Sequence, residues 1–298
     1  MTEQSLGKNP DSMGGSEKLS LPEITLRKGN TEVSVVPERG GIISAYKVDG
    51  VDIIHTNRDW LMDPSKKIRF GGPILFPNGG PGGSLAGEEE LPNNGLVRLM
   101  KWEAGEQEST DEYESIKMHV SSNEETRKSY PHEFDLVREV RVYGNGKVTD
   151  VVTIKNNGDF PMPAAEGRHP FWDCAQGAKA GVTSNVEGFD AKAMAEQEEY
   201  DEPFANPGTV RIDMPAYEDT PAKRIWQITS PDTYQNFYFY TVQGLNALCG
   251  EPWTRKDKAI FDHEQAMQIP PHSSRVLPIT MIAEINPPPG EPQLPIAA

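Results

Sequence analysis

The chain has 298 residues, enough to bury a sizeable hydrophobic core as one large domain or two ordinary ones. It carries 45 acidic side chains against 29 basic ones, and a net charge of -16 disfavours nucleic acid and anionic membrane surfaces as partners. No apolar run approaches the roughly 20 residues of a membrane span, and residues 1–10 are polar, so we expect a cytoplasmic protein.

Residues 1–20 are rich in Ser, Gly, Asn and charged residues, which predicts a disordered tail. Beyond them, short runs rich in Val, Ile, Phe and Tyr are closed by Gly, Asn, Asp or Pro, a pattern typical of β-strands. These runs lie at residues 33–35, 46–48, 51–53, 116–120, 134–142, 148–154, 225–228, 237–242 and 277–285. Asp49 and Gly50 predict a hairpin, and Gly40 with Gly41 predicts a close backbone crossing.

Helical periodicity is confined to a short stretch at residues 191–200. The 27 Gly and 26 Pro suit many turns and would break long helices. We find no internal repeat, no linker and no alternation of strands with helices. The sequence therefore predicts an all-β fold, a large antiparallel sandwich with few short helices, as a single domain over residues 21–286. A Pro-rich surface tail is predicted at residues 287–298.

Two cysteines, Cys174 and Cys249, are too few for a disulfide framework and lack the spacing of metal ligands. We expect both to be reduced, buried thiols without a chemical role. Each lies near a candidate functional residue in the sequence, so both could line the floor of a cleft.

Two candidate functional residues stand out, although they are far apart in the sequence. His169 lies in the segment EGRHPFW (166–172), and Glu251 lies in GEPW (250–253). Taken singly, the plainer interpretations are a core histidine with satisfied hydrogen bonds and a solvated turn glutamate. Taken together, an imidazole and a carboxylate facing each other in an aromatic cleft form a general acid/base pair. An apolar setting would also raise the pKa of the glutamate.

Other patterns predict no chemistry. The loop NGGPGGS (78–84) lacks the Gly-Lys-Ser/Thr ending and the following helix of a phosphate loop, although it could cover a ligand. Asp262, His263 and Glu264 are adjacent and cannot all reach one ion, which favours a surface turn. The remaining histidines show no paired spacing and are interpreted as structural or surface residues: His55, His119, His132 and His272.

Several segments, in this order, resemble the aldose 1-epimerase (galactose mutarotase-like) superfamily. They are GGII (40–43), RFGGPILFP (69–77), LPNNGLVR (91–98), PMP (161–163), GRHPF (167–171) and EPW (251–253). The resemblance covers residues 24–285, and its pattern is most similar to the hexose-6-phosphate mutarotase branch.

The resemblance implies a β-supersandwich with an open cleft, and interconversion of the α and β anomers of an aldose without a metal or organic cofactor. It implies that Glu251 removes the proton of the anomeric hydroxyl and that His169 protonates the ring oxygen, with the two side chains about a sugar ring apart. It further implies a substrate-binding role for Arg69, Asn94, Arg98 and Trp253. The expected partner is a small-molecule sugar or sugar phosphate, and the expected state is a monomer or weak dimer.

The sequence departs from the family pattern at Asn94, where a second histidine is usual. Asparagine cannot carry a proton, so we expect weaker catalysis with substrate positioning retained. The aspartate that binds sugar hydroxyls in the family has two candidate counterparts here, Asp213 and Asp232. A phosphate could be received by any of four basic residues, which could equally be ordinary surface charges: Lys66, Lys67, Arg98 and Arg168.

Two other functions remain open on the sequence. A non-catalytic carbohydrate-binding or sensing module on the same fold is favoured by Asn94. A polysaccharide lyase or glycosidase is less favoured, because a glycosidase needs two close carboxylates and the sequence places only Glu251 in the predicted cleft.

Overall fold

The computed structural model describes residues 21–63, 65–66, 68–85, 87–218, 222–262 and 265–286. The predicted tails at residues 1–20 and 287–298 lie outside these ranges. So do Lys67 and the predicted surface turn at His263 and Glu264.

Twenty strands, three α-helices and four 3₁₀ helices form the regular structure of the described residues. The strands are β1 (Ile24–Lys28), β2 (Thr31–Val36), β3 (Ile42–Val48), β4 (Val51–Asp52), β5 (Ile74–Leu75), β6 (Glu103–Ser109), β7 (Tyr113–Ser121), β8 (Phe134–Tyr143), β9 (Lys147–Asn156), β10 (Met162–Ala164), β11 (Gly167–Arg168), β12 (Phe171–Asp173), β13 (Thr183–Ser184), β14 (Glu199–Ala205), β15 (Thr209–Met214), β16 (Lys223–Thr229), β17 (Asn236–Val242), β18 (Ala247–Trp253), β19 (Met267–Ile269) and β20 (Ser274–Asn286). The α-helices are α1 (Arg58–Met62), α2 (Glu124–Ser129) and α3 (Ala191–Glu196), and the 3₁₀ helices are Pro37–Arg39, Val97–Leu99, Gln176–Gly181 and Ala259–Phe261.

The strands form four antiparallel sheets. The largest has eight strands in the order β13-β15-β16-β20-β9-β8-β7-β6, and the next has the order β14-β17-β18-β11-β5, with β12 also paired to β18. Strands β1 to β4 form a third sheet in chain order, and β10 pairs with β19. The predicted all-β supersandwich with few short helices is therefore confirmed. Each predicted run coincides with a strand, although Ile53 lies just beyond β4.

The main hydrophobic core lies between the two largest sheets. Trp172 of β12 stacks on Trp226 of β16, with ring centroids 5.0 Å apart and an interplanar angle of 25°. Along β9, buried and partly exposed residues alternate, as expected of a strand with one face on a core. Burial of apolar surface between the sheets is the main stabilising contribution, at about 25 cal/mol per Å².

Behind the six-stranded sheet, a buried network of charges connects the two large sheets. Asp150 of β9 accepts a bidentate pair of hydrogen bonds from Arg138, at 2.9 and 2.7 Å, and a further bond from Arg168 at 3.0 Å. Arg168 also contacts the carboxylate of Glu166. Two guanidinium and two carboxylate groups balance in charge, which is the condition for burying them. Arg168 immediately precedes His169, so the network fixes the backbone there.

Two local predictions are confirmed and one is partly wrong. Strands β3 and β4 form the predicted hairpin, and Gly40 has a φ of 75° at a crossing where any Cβ would overlap the carbonyl oxygen of Arg98. The predicted helix over 191–200 ends at Glu196, because residues 199–205 pair with β17 as strand β14. None of the helices in the described ranges is long and apolar enough to cross a membrane.

Candidate active site

A cleft of about 500 Å³ opens on the six-stranded sheet, a size typical of small-molecule sites. Its walls come from β14, β17 and β18, from the junction between β11 and β12, and from loops at residues 69–73, 80–81 and 93–98. All six residues to which the resemblance gave a role line this cleft: Arg69, Asn94, Arg98, His169, Glu251 and Trp253.

His169 and Glu251 are in direct contact. The Nε2 atom of His169 lies 3.4 Å from Oε1 of Glu251. Strands β11 and β12 flank His169, and their pairing with β18 (Gly167 with Trp253, Phe171 with Cys249) places residues 169 and 251 opposite each other. The expected separation of about one sugar ring is therefore wrong, because directly opposed side chains in a sheet are close neighbours. The contact leaves no room for another group between the two side chains.

Glu251 is almost completely buried, on a strand with neighbours on both sides. The plainer sequence interpretation of Glu251 as a solvated turn residue is therefore wrong, and the apolar setting is confirmed. The indole N–H of Trp253 donates to Oε2 of Glu251 at 3.0 Å, which leaves Oε1 directed at His169. Trp253 itself stacks on Tyr238 with centroids 4.0 Å apart. A Cβ at Gly167 would lie 2.8 Å from the indole, so glycine is required for this packing.

His169 is held between two aromatic rings. It stacks on Phe171, with centroids 4.7 Å apart and an interplanar angle of 15°, and meets Tyr240 edge-on at 5.8 Å. Its backbone N–H donates to the carbonyl oxygen of Pro73 at 3.1 Å. The side chain is only 11% exposed, so the imidazole reaches solvent only through the cleft.

The environment disfavours charge on either member of the pair. Burial, followed by the positive charges of Arg98 and Arg69, lowers the pKa of His169 to about 3. Burial raises the pKa of Glu251 well above its usual value, against the opposing hydrogen bond from Trp253. The imidazole is therefore neutral at neutral pH, and the carboxyl group of Glu251 holds its proton to a higher pH than an exposed glutamate does. An imidazole able to accept a proton and a carboxyl group of raised pKa thus lie together in the floor of the cleft.

Two arginines bring positive charge to one side of the cleft. Arg98 donates to the carbonyl oxygens of Ile68, at 3.2 Å, and of Asn93, at 2.8 Å. Neither Arg98 nor the exposed Arg69 forms an ion pair with another residue of the described ranges. Arg168 is different: it is buried and paired with Asp150, so the suggestion that it is a surface charge or a phosphate ligand is wrong.

Asn94 fastens the glycine-rich loop. Its Oδ1 accepts a hydrogen bond from the backbone N–H of Gly80 at 2.7 Å, and its own backbone N–H donates to the carbonyl oxygen of Gly80 at 2.8 Å. Its φ of 59° is in the left-handed region, which asparagine tolerates better than most residues. Gly80 and Pro81 line the cleft, so Asn94 positions the wall they form.

Two acidic residues that the sequence interpretation missed also line the cleft. Glu199 and Asp201 are two positions apart on β14 and point to one face of the strand. Burial, then the charges of Glu199 and Asp257, raise the pKa of Asp201. The single-carboxylate description of the cleft is therefore wrong. Acidic residues at alternate positions, 199 and 201, are the pattern in the sequence that could have indicated an acidic strand face. The predicted helix over residues 191–200 conflicts with that interpretation.

Neither aspartate proposed from the sequence lies on the cleft. Asp213 is on β15 of the eight-stranded sheet, where it pairs with Arg211 at 2.9 Å and with Lys223 at 3.9 Å. Asp232 is an exposed residue outside the lining. The four histidines interpreted as structural or surface residues are likewise absent from it: His55, His119, His132 and His272.

Both cysteines are free and buried, as predicted. Neither lines the cleft. Cys249 lies beneath the acid/base pair, two residues before Glu251 on the same strand face. Burial raises the pKa of the Cys174 thiol to about 12, so it is an unreactive core residue.

Comparison with known proteins agrees with this architecture. The profile of the family described as aldose 1-epimerase matches residues 22–262. The Slr1438 protein from Synechocystis sp. PCC 6803 superposes with a TM-score of 0.79 at 26% identity, over 91% of this chain and 99% of that one. Galactose 1-epimerase from Lactobacillus acidophilus NCFM superposes with a TM-score of 0.68 at 12% identity, over 89% of this chain and 94% of that one, which shows a shared fold. The chain belongs to the aldose 1-epimerase family.

Curated relatives match a shorter stretch. A protein of Escherichia coli K12 named "Putative glucose-6-phosphate 1-epimerase" is 28% identical over 116 residues, 39% of this chain. A protein of the same name from Salmonella typhimurium LT2 is 30% identical over 98 residues, 33% of this chain. The match spans 36% and 31% of the two relatives' own lengths, about a third of each.

Proposed function

We propose that this chain is a mutarotase that interconverts the α and β anomers of an aldohexose or a hexose-6-phosphate by acid/base ring opening. The observation that carries the proposal is the contact between His169 and Glu251 in the floor of the cleft. The surroundings disfavour charge on both groups, and the two face a space large enough for a sugar. Ring opening needs one general acid, which protonates the ring oxygen, and one general base, which deprotonates the anomeric hydroxyl, and this pair could supply both.

In the proposed reaction the sugar ring lies over the pair. The pair reacts after its proton has passed from the Glu251 carboxyl group to the His169 imidazole. Glu251, then a carboxylate, takes the proton of the anomeric hydroxyl, and the O–H electron pair becomes the second bond of the aldehyde carbonyl. The bond from C1 to the ring oxygen breaks, and its electrons take the proton of the His169 imidazolium. Rotation about C1–C2 and closure with reversed roles give the other anomer. The pair carries one proton before and after each half-reaction, so nothing else needs to enter or leave.

The charge distribution of the cleft favours a phosphorylated sugar. Arg69 and Arg98 have no carboxylate partner among the described residues and could receive an anion. On the side formed by β14, Asp201 and Glu199 can accept hydrogen bonds from sugar hydroxyls. The name of the two curated relatives is in accord with a hexose-6-phosphate, although the matched segment is about a third of their length.

A non-catalytic carbohydrate-binding module is the second candidate. The observation that favours it is Asn94, which lines the cleft where the family usually has histidine and cannot relay a proton. The two functions differ in one measurement, the rate at which a fresh anomer reaches equilibrium.

Polarimetry or NMR exchange of fresh α-glucose, α-galactose and glucose-6-phosphate tests the proposal. Wild-type protein should accelerate equilibration of at least one of them, and Glu251→Gln should lower that rate by roughly 10²-fold or more. The glutamine is nearly isosteric and can keep the bond from Trp253, so the fold should persist. Saturable sugar binding without acceleration would instead establish the binding module.

A further inference from the structure

Beneath the cleft, three side chains of different chemical type converge. One imidazole nitrogen of His169, the Cys249 sulfur and one carboxylate oxygen of Glu251 all lie within 4.8 Å of one another. Cys249 and Glu251 are two residues apart on β18 and therefore share a face, and the strand pairing brings His169 opposite. All three are buried.

Nitrogen, sulfur and oxygen ligands of this kind are those that Zn²⁺ binds. Bond lengths of about 2.0–2.3 Å in tetrahedral geometry separate ligand atoms by roughly 3.3–3.8 Å. His169 and Glu251 are already at 3.4 Å. The remaining approach of Cys249 is within about 1 Å, so an ion could be accommodated by side-chain adjustment alone.

The surroundings supply two further features of a metal site. The indole N–H of Trp253 donates to Oε2 of Glu251 and so orients Oε1 toward the prospective ion, the usual arrangement around a ligating carboxylate. His169 and Glu251 line the cleft, so a fourth position would face solvent. Loss of the Glu251 proton and of the Cys249 proton would leave one carboxylate and one thiolate, which together neutralise a divalent ion.

We propose that His169, Cys249 and Glu251 form an inhibitory site for Zn²⁺ or a similar thiophilic divalent cation. The ion takes the lone pairs that the acid/base pair needs, releases two protons and blocks ring opening without being a cofactor for it. The inhibitory consequence rests on the proposed mutarotase function. The binding site does not, because metal binding is measured independently of turnover.

The first test is direct binding by the full chain. Co²⁺ titrated into the reduced protein should produce a near-ultraviolet thiolate-to-cobalt charge-transfer band that saturates at one equivalent and is displaced by Zn²⁺. Cys174→Ser is the matched control and should retain the band, whereas Cys249→Ser and Cys249→Ala should lose it. X-ray absorption of zinc-loaded wild-type protein, which needs no variant to fold, should show one sulfur at about 2.3 Å. A zinc shell of nitrogen and oxygen only would overturn the proposal.

The second test is inhibition, with each protein normalised to its own metal-free rate. Zn²⁺ should inhibit wild type and Cys174→Ser reversibly, with recovery on adding EDTA. The Zn²⁺ concentration needed for half-inhibition should be at least roughly 10-fold higher for Cys249→Ser. Equal sensitivity of the two cysteine variants would overturn the inhibitory site. A cobalt band in a protein without any mutarotase activity would refute the proposed function while supporting the metal site.

Discussion

The opposite pKa shifts of His169 and Glu251 lead to a stability prediction that is independent of any substrate. The slope of unfolding free energy against pH equals about 1.4 kcal/mol per pH unit for each proton by which the unfolded state exceeds the folded one. His169 titrates near 6.5 when unfolded and at about 3 when folded, so between these values it contributes a positive slope. Glu251 titrates near 4.5 when unfolded and well above that when folded, so from pH 4.5 upward it contributes a negative slope.

In wild-type protein the two contributions oppose each other above pH 4.5, because the pKa of His169 is lowered on folding and the pKa of Glu251 is raised. Glu251→Gln should expose the histidine contribution. Its free energy of unfolding relative to wild type should rise with pH, by at most about 1.4 kcal/mol per pH unit. His169→Asn should expose the glutamate contribution and fall by a similar amount.

The assay is urea denaturation of wild type, both single variants and the double variant at pH 4.5, 5.5 and 6.5. All other titrating groups are common to the four proteins, so their contributions to the pH dependence cancel when the free energy of unfolding of each variant is compared with that of wild type. The slope of the double variant, relative to wild type, should lie between the slopes of the two single variants. Slopes of the same sign in the two single variants, or no slope in either, would refute the opposite pKa shifts of His169 and Glu251.

Three further predictions test the surroundings of the pair. Asp150→Asn should lower the free energy of unfolding by about 3–5 kcal/mol in denaturant titration, because two buried guanidinium groups then lose a carboxylate partner. As a control, removing the charge of Glu38, which pairs with Lys101 at the surface, should lower it by less than about 1 kcal/mol. Asn94→Ala should lower the free energy of unfolding by about 1–2 kcal/mol, because the hydrogen bond from Gly80 is lost. Asn94→Asp keeps the acceptor oxygen and should lower it clearly less. Equal decreases for the two variants would contradict the role of Asn94 in holding the loop. Arg69→Gln should raise KM for glucose-6-phosphate about 10-fold while changing KM for glucose little, and an equal change for both sugars would argue against a phosphate contact.

The predictable part of the fold was the part with alternating apolar residues. Strands β8 and β9 bury every second residue or more, and their sequence shows it. Strand β6 gives no such signal, because every one of its residues is exposed and five of the seven in the sequence EAGEQES are polar or acidic. Only its backbone pairing with β7 makes it a strand. The predicted helix overlaps the first two residues of β14, where pairing with β17 overrides the local preference.

The site divides along the same line. The family resemblance of several ordered segments predicted six site residues, and all six line one cleft in the structure. The contact between His169 and Glu251 depends on the register of β11 and β12 against β18, which no local pattern encodes. The acidic side of the cleft was missed for the same reason, since Glu199 and Asp201 become cleft residues only through the pairing of β14 with β17.

The geometry also changes what Asn94 implies. A second histidine is most important in a site where the acid, once it has given its proton to the sugar, cannot recover a proton from the base. Here the imidazole and carboxylate are in contact at 3.4 Å, so in the proposed mechanism they exchange their proton directly and the acid and the base are regenerated within the pair. Asn94 instead ties its side chain and backbone to Gly80 and so holds the loop that closes one wall of the cleft. A histidine there would have to adopt the same left-handed φ of 59° and replace that acceptor, which makes asparagine suited to the loop even though it cannot carry a proton.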